Sequence, residues 1–184
     1  EYVSVNSAGT ARLLEAIQRR SVRRLIVASS MSIYGEGCYE TSDGQSAEAR
    51  ERTLSALKQH QWDPTDAAGN RLRPKSTPES KPPSLASVYA LSKYDQERMC
   101  LMFGQAYRIP TVALRFFNVY GTRQALSNPY TGVMAIFASR LLNGKPPVIF
   151  EDGQQLRDFV SVHDVSYACA LALKSELAVG QASH

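Results

Sequence analysis

This chain is poor in the residues that would make it a stapled, metal-bound or membrane protein. It has three cysteines in 184 residues, Cys38, Cys100 and Cys169. An odd, widely scattered set suits reduced thiols of a cytoplasmic protein rather than a disulfide framework. There is no Cys-x-x-Cys pair, and the histidines are only His60, His163 and His184, which argues against a zinc site and leaves no metal ligand set to name. No apolar run approaches the ~20 residues of a membrane span. The opening residues from Glu1 to Asn6 lack the basic start and apolar middle of a signal peptide. The net charge of +4 rests largely on Arg19, Arg20, Arg23 and Arg24. No aromatic residues interleave with these arginines to stack bases, so a nucleic-acid partner is not expected. Basic residues near a helix C-terminus are favoured by the helix dipole in any case. Internal repeats are lacking too.

What remains is 43% hydrophobic, enough for a core of ordinary size. Helix and strand patterns alternate. Residues 6–20 read as a helix with Leu13, Leu14 and Ile17 inward, followed by a short apolar strand over 23–29. Residues 84–107 read as a long helix with Val88, Leu91, Met99, Met102 and Ala106 inward, and 111–117 as a second buried strand. A helix over 133–142, short strands at 148–150 and 158–162, and a helix over 164–174 complete the pattern. Helices between apolar strands predict an α/β fold with a doubly wound parallel sheet. Residues 37–83 break the rhythm, with a charged helix expected over 46–60 and then five prolines in an irregular stretch. A polar excursion of that length predicts a lid or binding element.

The chemistry centres on Tyr89 and Lys93. Four residues apart on one helix, they share a face, so a phenol and an ammonium lie side by side. A cation beside a tyrosine favours the phenolate and suits it to acid/base work. Upstream, Ala28-Ser29-Ser30-Met31-Ser32-Ile33-Tyr34-Gly35 ends a strand and would project Ser30 from its carboxyl end, where open α/β sheets place ligands. Taken with Leu114-Arg115-Phe116-Phe117-Asn118-Val119-Tyr120-Gly121-Thr122-Arg123-Gln124 and the run from Gly153 to Asp164, these motifs resemble the extended short-chain dehydrogenase/reductase family, in its nucleotide-sugar epimerase and dehydratase branch. The stretch from Asn6 to Glu15 matches the same family.

The resemblance implies an NAD-binding fold of the Rossmann type, present in part. Residues 1–127 would hold the second half of that domain, interrupted by the 37–83 insertion. Residues 128–184 would hold part of a smaller substrate-binding region and returning elements. Tyr89 would be the acid/base, Lys93 would lower its pKa and hold the nicotinamide ribose, and Ser30 would orient the substrate hydroxyl. Asn6, Ser29 and Phe117 would lie by the cofactor NAD. Asn118 and Arg157 would hold the diphosphate of a nucleotide-diphosphate sugar, with Gln124 near the sugar and Val133 near the nucleotide. Arginine suits a phosphate because its planar fork matches the oxygens. A homodimer through the Tyr89 helix is implied, with Met99, Met102 and Phe103 supplying apolar surface.

Dehydratases of this branch carry an Asp-Glu pair directly after the catalytic serine or threonine. Met31 and Ser32 stand there, which favours epimerisation over the dehydratase or reductase alternative. A non-catalytic binding homologue is the alternative of another class, disfavoured because Ser30, Tyr89 and Lys93 are all present. The runs 31–37, 62–64 and 126–133 look most like dTDP-L-rhamnose 4-epimerases, with UDP-glucose 4-epimerases as relatives. Those relatives often carry a Cys-x-x-Cys knuckle where Asp66 and Gly69 stand here. None of the eleven glycines forms the G-x-x-G-x-x-G loop that cradles a dinucleotide pyrophosphate. The sequence therefore reads as an internal piece that opens at the family's fourth helix and stops before a last strand. On that reading the 184 residues alone bind NAD weakly and do not turn over.

Overall fold

The computed structural model describes residues 1–49, 52–125 and 132–184. A π-helical stretch Val3–Ala8 runs into α1 (Gly9–Gln18), followed by β1 (Leu25–Ser30) and a 3-10 turn Met31–Tyr34. Then come β2 (Cys38–Glu40), β3 (Ser46–Ala47), α2 (Leu54–Lys58), β4 (Arg73–Lys75), α3 (Val88–Tyr107), β5 (Thr111–Phe116) and β6 (Asn118–Tyr120). The chain continues through α4 (Val133–Leu142), β7 (Phe159–Ser161), α5 (Val162–Ala172) and β8 (Ala182–Ser183). Two units emerge, each assembled from discontinuous segments. The first comprises Glu1–Gly35, Pro82–Thr122 and Phe159–His184, and the second Glu36–Lys81 and Arg123–Asp158. The border expected at 127/128 lies outside the described residues, as does most of the 126–133 motif.

In the first unit, β1, β5 and β8 form a parallel sheet in the order β1-β5-β8, with Leu25 opposite Thr111 and Ser30 opposite Phe116. β6 and β7 add a parallel pair. The α/β reading stands, and the sheet extends beyond expectation, because Ala182–Ser183 already pairs with β5 where no strand was foreseen. Leu14 and Ile17 of α1, Val27 of β1, Cys100 of α3 and Ala113 of β5 make the core. Leu13, expected inward, is 52% exposed.

α3 begins where the Ser87 hydroxyl accepts from the Ala90 N–H at 3.0 Å. It ends at Arg108, whose left-handed backbone turns the chain before Pro110. Its phase differs from the expectation. Ala90, Ser92, Glu97, Cys100 and Gly104 face inward, while Val88, Leu91 and Met102 are exposed and Ala106 faces out. Gly104 explains part of this, since it lets the helix touch β5. A Cβ there would lie 2.1 Å from the Thr111 Oγ1 and 2.8 Å from the Ile109 carbonyl oxygen. Gly104→Ala is therefore expected to destabilise the fold by about 1–3 kcal/mol despite alanine's better helix propensity. A fall in the thermal midpoint checks this, and an unchanged or raised midpoint contradicts it.

Arg24, grouped in the sequence with a helix end before β1, caps a different helix. Its Nη1 donates to the Ala172 and Ser175 carbonyls, both at 2.8 Å, while Nη2 pairs with Glu176. These are the carbonyls left unpaired where α5 ends.

The second unit contains most of the insertion, part of which folds into a small sheet while the stretch after Lys75 is irregular, as expected. β2 pairs antiparallel with both β3 and β4, and Leu72 is buried beside that sheet. Pro74 is tolerated because β4 is an edge strand. The helix expected over 46–60 reduces to α2, since Ser46–Ala47 is extended; residues 50 and 51 of that span lie outside the described residues. Thr53 caps α2 by accepting from the Ala56 N–H. The Arg52 Nη1 donates to both Glu151 carboxylate oxygens at 3.0 and 3.1 Å. Asp66 ties its own loop, accepting from the Ala68 and Asn70 N–H groups, and the Asn70 bonds hold its carboxyl below the ordinary range. The strand expected at 148–150 does not form; Phe150 is 78% exposed there. Burial raises the Tyr39 hydroxyl pKa in this unit, against the opposing charges of Arg52 and Arg157.

Candidate active site

α3 runs antiparallel across β1. Cys100 meets Val27 in the core, and the Ser29 hydroxyl donates to Glu97 Oε2 at 2.5 Å. The Lys93 Nζ donates to the Ala28 carbonyl at 2.5 Å and to the Gln96 Oε1 at 2.6 Å. Tyr89 lies one helical turn further along, about 6 Å by the helical rise, and so sits toward the carboxyl end of β1 where Ser30 stands. Burial lowers the Lys93 pKa, with the nearby Cys100 thiol acting the other way. The Gln96 amide donates onward to the Thr10 hydroxyl at 2.9 Å, tying α1 to the same place.

Ser30 is nearly buried and caps the 3-10 turn, its Oγ accepting from the Ser32 N–H at 3.2 Å. A hydroxyl that accepts there keeps its own hydrogen to donate. Gly35 closes the turn at φ 66°, and a Cβ would come within 2.7 Å of the Ser84 carbonyl oxygen. That contact holds the chain entering α3 against the turn after Ser30, reinforced by the Ser84 N–H donating to the Ile33 carbonyl at 2.8 Å.

Asn6 joins this cluster. Its amide donates to the Ser92 hydroxyl at 3.0 Å, and Ser92 donates to the Tyr89 carbonyl at 2.9 Å. The Tyr2 ring meets the Tyr89 ring edge-on at 5.3 Å. Asn118, at the head of β6, directs its amide to the Met31 sulfur at 3.6 Å, which places it beside the residue after Ser30. Phe117 packs its ring 4.9 Å from the His184 ring. Asn6, Ser30, Tyr89, Lys93, Phe117 and Asn118 thus belong to one unit.

One expected site residue of this unit faces elsewhere, and three belong to the second unit. Ser29 points to the other face of β1, as the two-residue period of a strand requires, and its hydroxyl is engaged by Glu97. Gln124, Val133 and Arg157 belong to the second unit. Val133 opens α4, and the exposed Arg157 donates to the adjacent Leu156 carbonyl at 2.7 Å.

Sequence reasoning missed a buried ion pair. Arg115 on β5 donates from Nε to Glu97 Oε2 at 2.9 Å and from Nη2 to Oε1 at 2.7 Å. Its Nη1 donates to the Tyr34 hydroxyl at 2.8 Å, which in turn bonds His184 Nδ1 at 3.1 Å. Glu97 is 1% exposed, and its hydrogen bonds drive the Arg115 pKa upward. The signal available was a lone arginine between Leu114 and Phe116 in an otherwise apolar strand.

Cys100 lies behind Lys93 and is not a nucleophile. Burial pushes its thiol up to about 11, only partly offset by the Lys93 ammonium. In the folded protein at pH 8, about a thousandth of it is thiolate. Iodoacetamide at that pH should leave Cys100 unmodified while labelling the half-buried Cys38, as peptide mass spectrometry would show. Rapid native labelling of Cys100 would contradict the packing of α3 on β1.

The sequence pattern of the NAD dependent epimerase/dehydratase family matches residues 1–60 and 65–182. The chain is 37% identical over 178 residues to a dTDP-L-rhamnose 4-epimerase of Burkholderia thailandensis, covering 95% of this chain and 48% of that protein. Its fold is similar to the UDP-N-acetylglucosamine 4-epimerase of Methanobrevibacter ruminantium, solved with UDP-N-acetylmuramic acid, at a TM-score of 0.72 and 27% identity over 99% of this chain and 46% of that one. The UDP-glucose 4-epimerase of Thermus thermophilus, solved with NAD, gives 0.67 and 32% identity over 99% of this chain and 48% of that one. The chain thus spans about half the length of the relatives it matches.

Proposed function

Since this chain belongs to the NAD dependent epimerase/dehydratase family, we propose that it carries the acid/base half of an NAD-dependent epimerase of nucleotide-diphosphate sugars. The observation that supports the reading is the anchoring of Lys93, one helical turn from Tyr89, to the Ala28 carbonyl of the strand that ends in Ser30. A sugar hydroxyl held there would give its proton to Tyr89, while Ser30 donates to the same oxygen and fixes its direction. The Lys93 ammonium, one turn away, offsets the charge that forms on the phenol oxygen.

The donor set fits the nicotinamide ribose end of a dinucleotide. Lys93 commits two of its three N–H donors to Ala28 and Gln96, and the third remains for a ribose hydroxyl. When bound, NAD supplies the reversible hydride acceptor that lets a carbinol carbon become a ketone and invert. Asn6 buttresses α3 at Ser92 behind Tyr89, and Phe117 offers a flat apolar wall. Asn118, Gln124, Val133 and Arg157 are assigned to the diphosphate, sugar and nucleotide as the resemblance implies.

Epimerisation is favoured over dehydration by Met31, whose sulfur accepts from Asn118 where a dehydratase needs a carboxylic acid. Homodimer formation through α3 draws support from the exposed Val88, Leu91 and Met102; Met99 and Phe103, first expected to join them, pack partly against the core. Among the described residues no helix is long and apolar enough to cross a membrane, and the free cysteines suit a reducing cytoplasm.

The test is to incubate the full-length protein with dTDP-L-rhamnose, UDP-glucose and UDP-N-acetylglucosamine and resolve the products. Inversion at one sugar carbon without loss of water supports the reading. A dehydrated keto sugar would point to the dehydratase alternative, and no turnover with any nucleotide sugar would overturn it.

A further inference from the structure

We infer that the buried Glu97–Arg115 pair, with Ser29, Tyr34 and His184, is a positioning device that sets the mutual register of the segments bearing Ser30, Tyr89 and Asn118. The inference rests on the functional reading above. Glu97 accepts three hydrogen bonds, one from Ser29 and two from Arg115. Arg115 lies over the Tyr34 ring, 4.8 Å from its centre, as well as bonding its hydroxyl. The five residues come from α3, β1, the 3-10 turn, β5 and the residue after β8.

Every residue of the proposed site in this unit's strand and helix ends is a short step from one of them. Ser30 follows Ser29, and the turn it caps ends at Tyr34. Phe117 and Asn118 stand two and three residues after Arg115. Lys93 and Tyr89 lie one and two turns before Glu97, on the same helical face. The bonds therefore fix how far α3 slides along β1 and β5, which is the coordinate that sets Tyr89 against Ser30.

Stability alone does not account for this pair. Removing two charges from water costs so much that well-packed apolar replacements are often neutral or better. Directional bonds do what apolar contacts do not: a bidentate fork accepts one register, whereas methionines pack acceptably in several. Displacing a catalytic group by about 1 Å lowers turnover on the order of 100-fold.

The decisive measurement compares the full-length protein with Glu97→Met/Arg115→Met, Glu97→Gln and Tyr34→Phe. Each is assayed for kcat and KM well below its own thermal midpoint. The paired methionine variant should keep its fold and its KM within about threefold while kcat falls at least tenfold. Glu97→Gln removes the counter-charge and part of the fork, and Tyr34→Phe removes the hydroxyl that bonds Arg115 and His184; kcat should fall less in these two, and in that order. Arg115→Lys should not restore the parent kcat, because an ammonium cannot make the fork. If the paired variant does not fold, these two single substitutions decide. Parent kcat in folded variants overturns the positioning role and leaves the functional reading standing. A parent protein that epimerises nothing overturns both.

Discussion

If the proposed function holds, replacing Tyr89 by phenylalanine is expected to lower kcat of the full-length protein by about 10²–10⁴-fold, the range assigned to a positioned acid/base. The change deletes one oxygen. The ring keeps its edge contact with Tyr2, and Ser92 still donates to the residue 89 carbonyl, so α3 loses no bond to its neighbours. KM for the sugar nucleotide and affinity for NAD should therefore stay within a few fold, and the thermal midpoint should barely move. That pattern, kcat lost with KM kept, identifies an interaction made in the transition state. Lys93→Met should cost turnover too, but with weaker NAD binding, because on the proposed reading its ammonium serves both the phenol and the ribose. Retention of more than a tenth of kcat by Tyr89→Phe would remove Tyr89 from the chemistry.

Glu97→Ala is expected to be strongly destabilising. It leaves the Arg115 guanidinium, whose side chain is only 8% exposed, with no counter-charge and two unpaired donors. Breaking a buried pair from one side costs about 3–5 kcal/mol. For a protein of this size that is roughly 6–20 °C in the thermal midpoint. The Ser29 hydroxyl also loses its acceptor. Glu97→Ala/Arg115→Met should recover much of the loss, since it withdraws the stranded charge. Thermal unfolding of the two variants separates the possibilities. A Glu97→Ala midpoint within about 2 °C of the parent would show that water reaches Arg115 and that the pair is not sealed.

Helix α3 shows why sequence reading succeeded in one respect and failed in another. Tyr89 and Lys93 were legible because their spacing is a property of the helix itself. The inward face was not. Val88, Leu91 and Met102 make an apolar stripe that points to solvent, while Ser92, Glu97, Cys100 and Gly104 face the sheet. Counting hydrophobic residues finds the stripe, yet the sheet side needs a small residue at Gly104 and an acid opposite Arg115. Leu13 misled in the same way, and the apolar run Val148–Phe150 has no partner strand among the described residues.

The sequence by itself determined what depends on near neighbours: the alternation of helix and strand, the Tyr89–Lys93 pair and the turn after Ser30. It also carried the family, because those local motifs recur together. Only the tertiary structure decided that Glu97 and Arg115, 18 residues apart, close on each other, that Ser29 turns away from Ser30, and that Arg24 caps α5 across 148 residues. Each of these depends on how far one element slides and rotates over another. That choice is made by the packing of whole faces, by close approach at Gly104 and by the need to pair buried charge, none of which is written in any single stretch of chain.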